Sequence, residues 1–256
     1  MGLRQPTQEP FILLEQAAVY LPNPFAGQGA LEDPTKFIGR ETQMTSLWGR
    51  LNALGNLSII GPPGSGKSTM LALIMAERET KLRLKPDIIW LQIQRRMKLV
   101  EAQLMLARKL GGANAKATDW FNLLRGKRII LLLDDIGQLD NKSERGLEVR
   151  LWLRQLSQDR THATIQLVST STRPLDQIFI NDESPYFSSL HNTMKDTIEL
   201  GVFTDNEARQ FITKALVGAS FQFQDFSDLL SKPLVPRDLQ DSCLKRYEEL
   251  YTRARR

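Results

Sequence analysis

Apolar positions along the chain fall into two rhythms. Compact runs at Leu57-Ser58-Ile59-Ile60, at 87–93 and at 128–135 are short and nearly continuous, as expected of strands buried on both faces of a parallel sheet. Residues 164–169 and 197–200 predict two further strands. Between them the spacing changes to that of helices. Met44, Leu47, Trp48 and Leu51 share one side, and helices are predicted over 70–77, 99–110 (closed by Gly111-Gly112), 118–124 and 147–156. Strands alternating with helices predict an α/β fold, a parallel sheet sandwiched between two helical layers.

The two ends of the chain behave differently from this middle. Residues 1–36 contain Pro6, Pro10, Pro22, Pro24 and Pro34, with one apolar stretch at 11–20, and predict an arm laid over the core. After Gly201 no strand pattern remains. Thr204-Asp205-Asn206-Glu207 is a capping-box signature opening a helix to Leu216, and helical stretches follow at 223–230 and 238–253. The expected organisation is an arm (1–36), a nucleotide-binding core (37–200) and a small all-helical lid (201–256).

Composition narrows the class. Over 256 residues, 41% hydrophobic content suffices for a proper core. The lone Cys243 excludes an internal disulfide and a zinc cluster, so a reducing, cytoplasmic setting is expected. No apolar run approaches a bilayer span, so no membrane role is expected. The net charge of +5 admits nucleic acid, phosphate ligands or acidic proteins as partners without selecting among them.

The chemistry sits where the first strand breaks into glycines. Gly61-Pro62-Pro63-Gly64-Ser65-Gly66-Lys67-Ser68-Thr69 is a Walker A phosphate loop. Its glycines allow turns that aim successive N–H groups at phosphate oxygens, and the following helix adds its positive end. Lys67 would place charge on the β and γ phosphates, and Ser68 would ligate Mg²⁺. The run at 128–135 ends in Asp134-Asp135. Asp134 is positioned to hold Mg²⁺, and Asp135 to polarise an attacking water. After the next strand, Thr172 could bond the γ-phosphate or that water and Arg173 could neutralise developing charge, although Ser/Thr before Arg-Pro is also ordinary loop chemistry.

Together, Asn23-Pro24-Phe25, Phe37-Ile38-Gly39-Arg40-Glu41, the Walker A loop, Asp134-Asp135 and Ser171-Thr172-Arg173 resemble the STAND branch of the AAA+ superfamily, the signal-transduction ATPases. The resemblance implies a P-loop NTPase core whose adenine is framed by Phe37 and Ile38, with Arg40 close by and Thr172 and Arg173 sensing the γ-phosphate. It further implies that Pro236 and Arg237, in Pro236-Arg237-Asp238-Leu239-Gln240, bring the lid to the phosphates. Leu234 stands where a glycine is usual. No arginine occurs from Pro174 to Leu200, so a neighbour's Arg150, Arg154 or Arg160, or the chain's own Arg173, would have to complete the site.

These readings lead to a slowly hydrolysing, ATP- and Mg²⁺-dependent switch, alternating between ATP and ADP and assembling with itself or with protein partners. A rival expectation is a DNA-associated AAA+ ATPase, similar to replication initiators or transposition regulators, supported by Arg95-Arg96-Lys98 and Arg125-Lys127-Arg128. A third is a nucleotide-stabilised scaffold without turnover.

Overall fold

A computed structural model describes residues 23–27, 37–139, 144–179 and 190–254. The apolar stretch at 11–20 lies outside these, as does the extreme C-terminus. Five strands, β1 (Leu57–Ile60), β2 (Asp87–Gln92), β3 (Arg128–Asp134), β4 (Thr164–Ser171) and β5 (Thr197–Glu199), form one parallel sheet in the order β2-β3-β4-β1-β5. All four pairings are parallel. The central strand β3 explains its own unbroken apolar run. Ile129, Leu131 and Leu133 point to one face, and Ile130 and Leu132 to the other.

Each face is covered by helices that deliver the matching stripe. On one side lie α1 (Glu41–Asn52), with Leu47 and Leu51 inward, and α2 (Lys67–Lys81), with Met70, Leu71 and Ile74 inward. On the other lie α3 (Leu99–Gly111), α4 (Trp120–Leu124) and α5 (Glu144–Gln158). Helix α5 buries Val149, Trp152, Leu153 and Leu156, a spacing of three and four residues that keeps one stripe on the sheet. At roughly 1.5–3 kcal/mol for each large apolar side chain buried, these faces dominate the favourable side of folding.

One departure from the sequence reading bears on function. Strand β4 does not stop at Ser169 but runs to Ser171, because β1 continues to pair with it: Ile59 lies beside Thr170, and Ile60 beside Ser171. The hydroxyls this buries find partners. Ser169 donates to Ser58 at 3.1 Å, and Ser171 donates to the Arg173 carbonyl at 2.6 Å.

Two short helices, α6 (Leu175–Ile178) and α7 (Leu190–Thr193), precede β5. The stretch after Gly201, expected as a lid, comprises α8 (Asp205–Ala215), a 3-10 segment over Phe223–Ser231 in place of the expected ordinary helix, and α9 (Pro236–Ala254). The capping box forms: Thr204 Oγ1 accepts from Glu207 N–H at 3.2 Å, and Glu207 accepts from Thr204 N–H at 2.8 Å. The lid has a hydrophobic cluster of its own, including Phe226, Leu239, Cys243 and Tyr247. Phe25 belongs to that cluster, with its ring 5.5 Å from Phe226 and 6.1 Å from Phe211. The described part of the arm thus packs into the lid rather than over the sheet. No helix among the described residues is long and apolar enough to cross a membrane.

Candidate nucleotide-binding site

Residues 61–66 link the end of β1 to α2, and their glycines are there for space and conformation. A Cβ on Gly61 would stand 2.3 Å from the Leu200 carbonyl oxygen, and one on Gly64 would stand 2.8 Å from Cβ of Arg237. Gly64 and Gly66 also have positive φ, 79° and 98°. Helix α2 has no acidic residue in its first turn, so its positive end is not neutralised by its own side chains. Lys67 Nζ donates to the carbonyls of Gly61 at 2.7 Å and Pro62 at 2.9 Å. Burial pushes its pKa below the ordinary lysine range, which the carboxylates of Asp135 and Asp134 oppose. An arriving phosphate would offer this ammonium a full negative charge in place of two dipoles.

The acids arrive beside this loop. Ser68 donates to Asp134 Oδ1 at 3.2 Å, and Thr170 donates to the same oxygen at 2.7 Å. Asp135 turns away from the strand in the left-handed region, φ 57°, its N–H donating to Thr170 Oγ1 at 2.7 Å. Gln138 Nε2 holds Asp135 Oδ2 at 2.8 Å. A serine hydroxyl in contact with an aspartate suits a hard cation that takes oxygen ligands and fills its shell with water and phosphate. Ser68 and Asp134 fit Mg²⁺ on that ground. Among the described residues no cluster of three His, Cys, Asp or Glu offers an all-protein metal cage.

From the loop a cavity of about 490 Å³ extends between core and lid. Phe37 and Ile38 line it from the core side, together with Gly64 to Thr69. Phe203, Phe211, Gln240 and Asp241 line it from the lid, and Gly27 from the arm. Pro236 and Arg237 also reach its wall. Pro236 opens α9, where the missing N–H costs nothing, and the N–H of Arg237 donates to Gly64 O at 3.2 Å, so lid and phosphate loop touch directly.

Arg40 lines the same cavity, but its guanidinium is engaged elsewhere. It donates to Gly201 O at 2.6 Å and Val202 O at 3.4 Å, lies 5.1 Å from the Phe203 ring centre, and is only 6% exposed. Its own N–H donates to Glu207 Oε1 at 2.9 Å. Burial lowers the Arg40 pKa, against the attraction of Glu207. Glu207 experiences the reverse. Burial pushes its pKa up, but hydrogen bonds from Thr204 and Arg40 outweigh that and leave it below the ordinary carboxylate range.

Asp134 and Asp135 meet the loop through Ser68 and Lys67 without lining the cavity; Thr172 and Arg173, exposed just past the end of β4, do not line it either. The residue of this strand that touches the acids is Thr170, which sequence reasoning passed over. Its signal was the strand's alternation carried two residues further. Gln138, Phe203, Phe211 and Asp241 had no comparable signal. Arg150 is 1% exposed with its guanidinium 4.7 Å from the Phe179 ring centre, so it cannot reach into a neighbouring molecule's site.

Residues 40–158 match the model of the NB-ARC domain. That stretch, a little under half of the chain, is similar to the nucleotide-binding domain of STAND-type P-loop proteins. Among curated proteins of Arabidopsis thaliana, the chain is 34% identical over 121 residues to "Probable disease resistance protein At1g61300", covering 42% of the chain and 16% of that protein. It is 30% identical over 130 residues to "Disease resistance protein RPS5", covering 46% and 14%. The matches therefore span under a fifth of the length of these relatives. Solved structures share the fold at low identity. Drosophila ORC bound to DNA superposes with a TM-score of 0.65 at 16% identity, over 98% of the chain and 66% of that one. The Walker-type ATPase paby2304 of Pyrococcus abyssi superposes at 0.61 and 14% identity, over 89% and 76%.

Proposed function

We propose that the chain is a nucleotide-operated switch: it binds ATP or ADP with Mg²⁺ in the loop-and-lid cavity, hydrolyses ATP slowly, and uses the nucleotide to set how the lid (201–256) sits on the core (37–200). The observation that carries this reading is the Ser68–Asp134 contact at 3.2 Å, because Ser68 also lines the cavity that the phosphate loop shares with residues after Gly201. In this reading Phe37 and Ile38 flank the base, and the loop N–H groups with Lys67 take the phosphates. Lys67 exchanges the Gly61 and Pro62 carbonyls for phosphate oxygens. Ser68 and Asp134 would hold Mg²⁺, which would supply charge neutralisation at the phosphates. Arg237 stands over Gly64, where phosphate in the loop meets the lid. Asp135 accepts the proton of the attacking water. Slow turnover follows from its short side chain, from Gln138 already bonded to it, and from the solvent-facing position of Arg173.

The conformational change would be read by a partner protein or a second copy of the chain. The DNA-associated alternative is supported by the exposure of Arg95, Arg96, Lys98, Arg125 and Arg128, but Lys127 is paired with Asp87 at 3.4 Å. Calorimetry of the purified chain with ADP and with ATP, each with Mg²⁺, tests the proposal. Saturable binding that Lys67→Ala weakens at least about 10-fold is expected, since a charge-assisted phosphate contact is removed. A wild-type chain that binds neither nucleotide overturns it.

A further inference from the structure

Strand β4 contributes one buried hydroxyl to the acidic pair, and its polarity is fixed by its partners. Leu133 and Ser169 are the last paired residues of β3 and β4, so Asp134 and Thr170 emerge side by side at the sheet's carboxyl edge. Thr170 is 0% exposed. Its single proton goes to Asp134 Oδ1 at 2.7 Å, and its lone pair accepts the Asp135 N–H at 2.7 Å. One oxygen therefore orients the carboxylate that meets Ser68 and pins the backbone of the next residue in its left-handed turn, φ 57°, from which the Asp135 carboxylate accepts from Gln138 and acts through space on the Lys67 ammonium. Thr172 and Arg173 have no such contact and face solvent.

We propose that Thr170 is the positioning residue that couples the two acids, so that the metal-side carboxylate and the water-side carboxylate keep one fixed relation. This rests on the nucleotide-switch reading above. Thr170 is fully buried and does not line the cavity; it acts through Asp134 and Asp135. A valine has nearly the shape of threonine but neither donates nor accepts, so Thr170→Val removes both bonds and leaves the packing. Thr170→Ser restores the hydroxyl without the methyl.

The test measures ADP binding to the full chain by calorimetry, once in EDTA and once in Mg²⁺, with ATP turnover measured alongside. In EDTA, Thr170→Val binds ADP within about 2-fold of wild type, because the phosphate loop is untouched. Losses from disturbing groups that orient metal ligands run about 10–100-fold, so the gain in affinity on adding Mg²⁺ and the turnover number each fall in that range. Thr170→Ser recovers both to within about 3-fold of wild type. Thr170→Val with a wild-type Mg²⁺ gain overturns the inference, and so does a serine variant as impaired as the valine one, since the methyl rather than the hydroxyl would then matter. Failure of the wild-type chain to bind ADP in either condition overturns the nucleotide-switch reading instead.

Discussion

The sheet core and the helical lid bury their apolar residues by different means. In the core, β3 is flanked on both sides by parallel neighbours and covered on both faces, so each apolar residue is held by ladder bonds and by two helical layers. In the lid, aromatic rings hold three helical segments together, and one of the rings, Phe25, comes from a stretch separated in sequence by the entire core. The seam between the two is polar: Arg40 to the carbonyls of Gly201 and Val202, Glu207 to the Arg40 N–H, and Arg237 N–H to Gly64 O. A seam of a few hydrogen bonds can be rearranged at a cost a ligand can meet, whereas a close-packed sheet cannot.

Three outcomes test that contrast, the largest first. Truncating Phe25 to Ala should cost about 3–5 kcal/mol, and Leu131→Ala about 2–5 kcal/mol, but in different places. Hydrogen exchange should show Phe25→Ala loosening α8 and α9 while β3 stays protected, and Leu131→Ala lowering protection throughout. Uniform loosening by both would mean that core and lid fold as one unit.

The seam should also respond to acid. The Glu207 carboxyl has a folded-state pKa below its unfolded one, so its stabilising contribution is present above the ordinary carboxylate range and is lost as pH falls through the folded value. Exchange in α8 should accelerate across that acidic window before β3 is affected, and Glu207→Gln should flatten the response. A wild-type profile in Glu207→Gln would remove Glu207 from this role. The smallest effect concerns Cys243, whose thiol burial pushes up to about 12. A maleimide reagent near neutral pH should leave Cys243 unlabelled in the wild-type chain and label it faster in Phe25→Ala.

Much of the core and its phosphate loop was legible beforehand because the signals are local. Glycines at 61, 64 and 66, the lysine and the helix-forming run after them lie within a dozen residues of one another. The unbroken apolar run of β3 needed only its own seven residues. The 3-10 geometry of Phe223–Ser231 was not legible, because an amphipathic stripe at short length fits either helix type. Nor was the fate of Arg40. It reads as a charged residue beside a nucleotide, yet its guanidinium bonds a carbonyl 161 positions away.

By itself, the sequence determined the alternating architecture, the anion-binding loop and the pair of acids ending a buried strand, since each depends on backbone preference and periodicity over a few neighbouring residues. Only the tertiary structure decided that β4 extends far enough to place Thr170 against both acids, that Arg237 rests on Gly64, and that Phe25 closes the lid. Those contacts join segments whose separation in the chain says nothing about their distance in space. Which of many similar polar or aromatic side chains meets its partner is settled by how the sheet and helices pack.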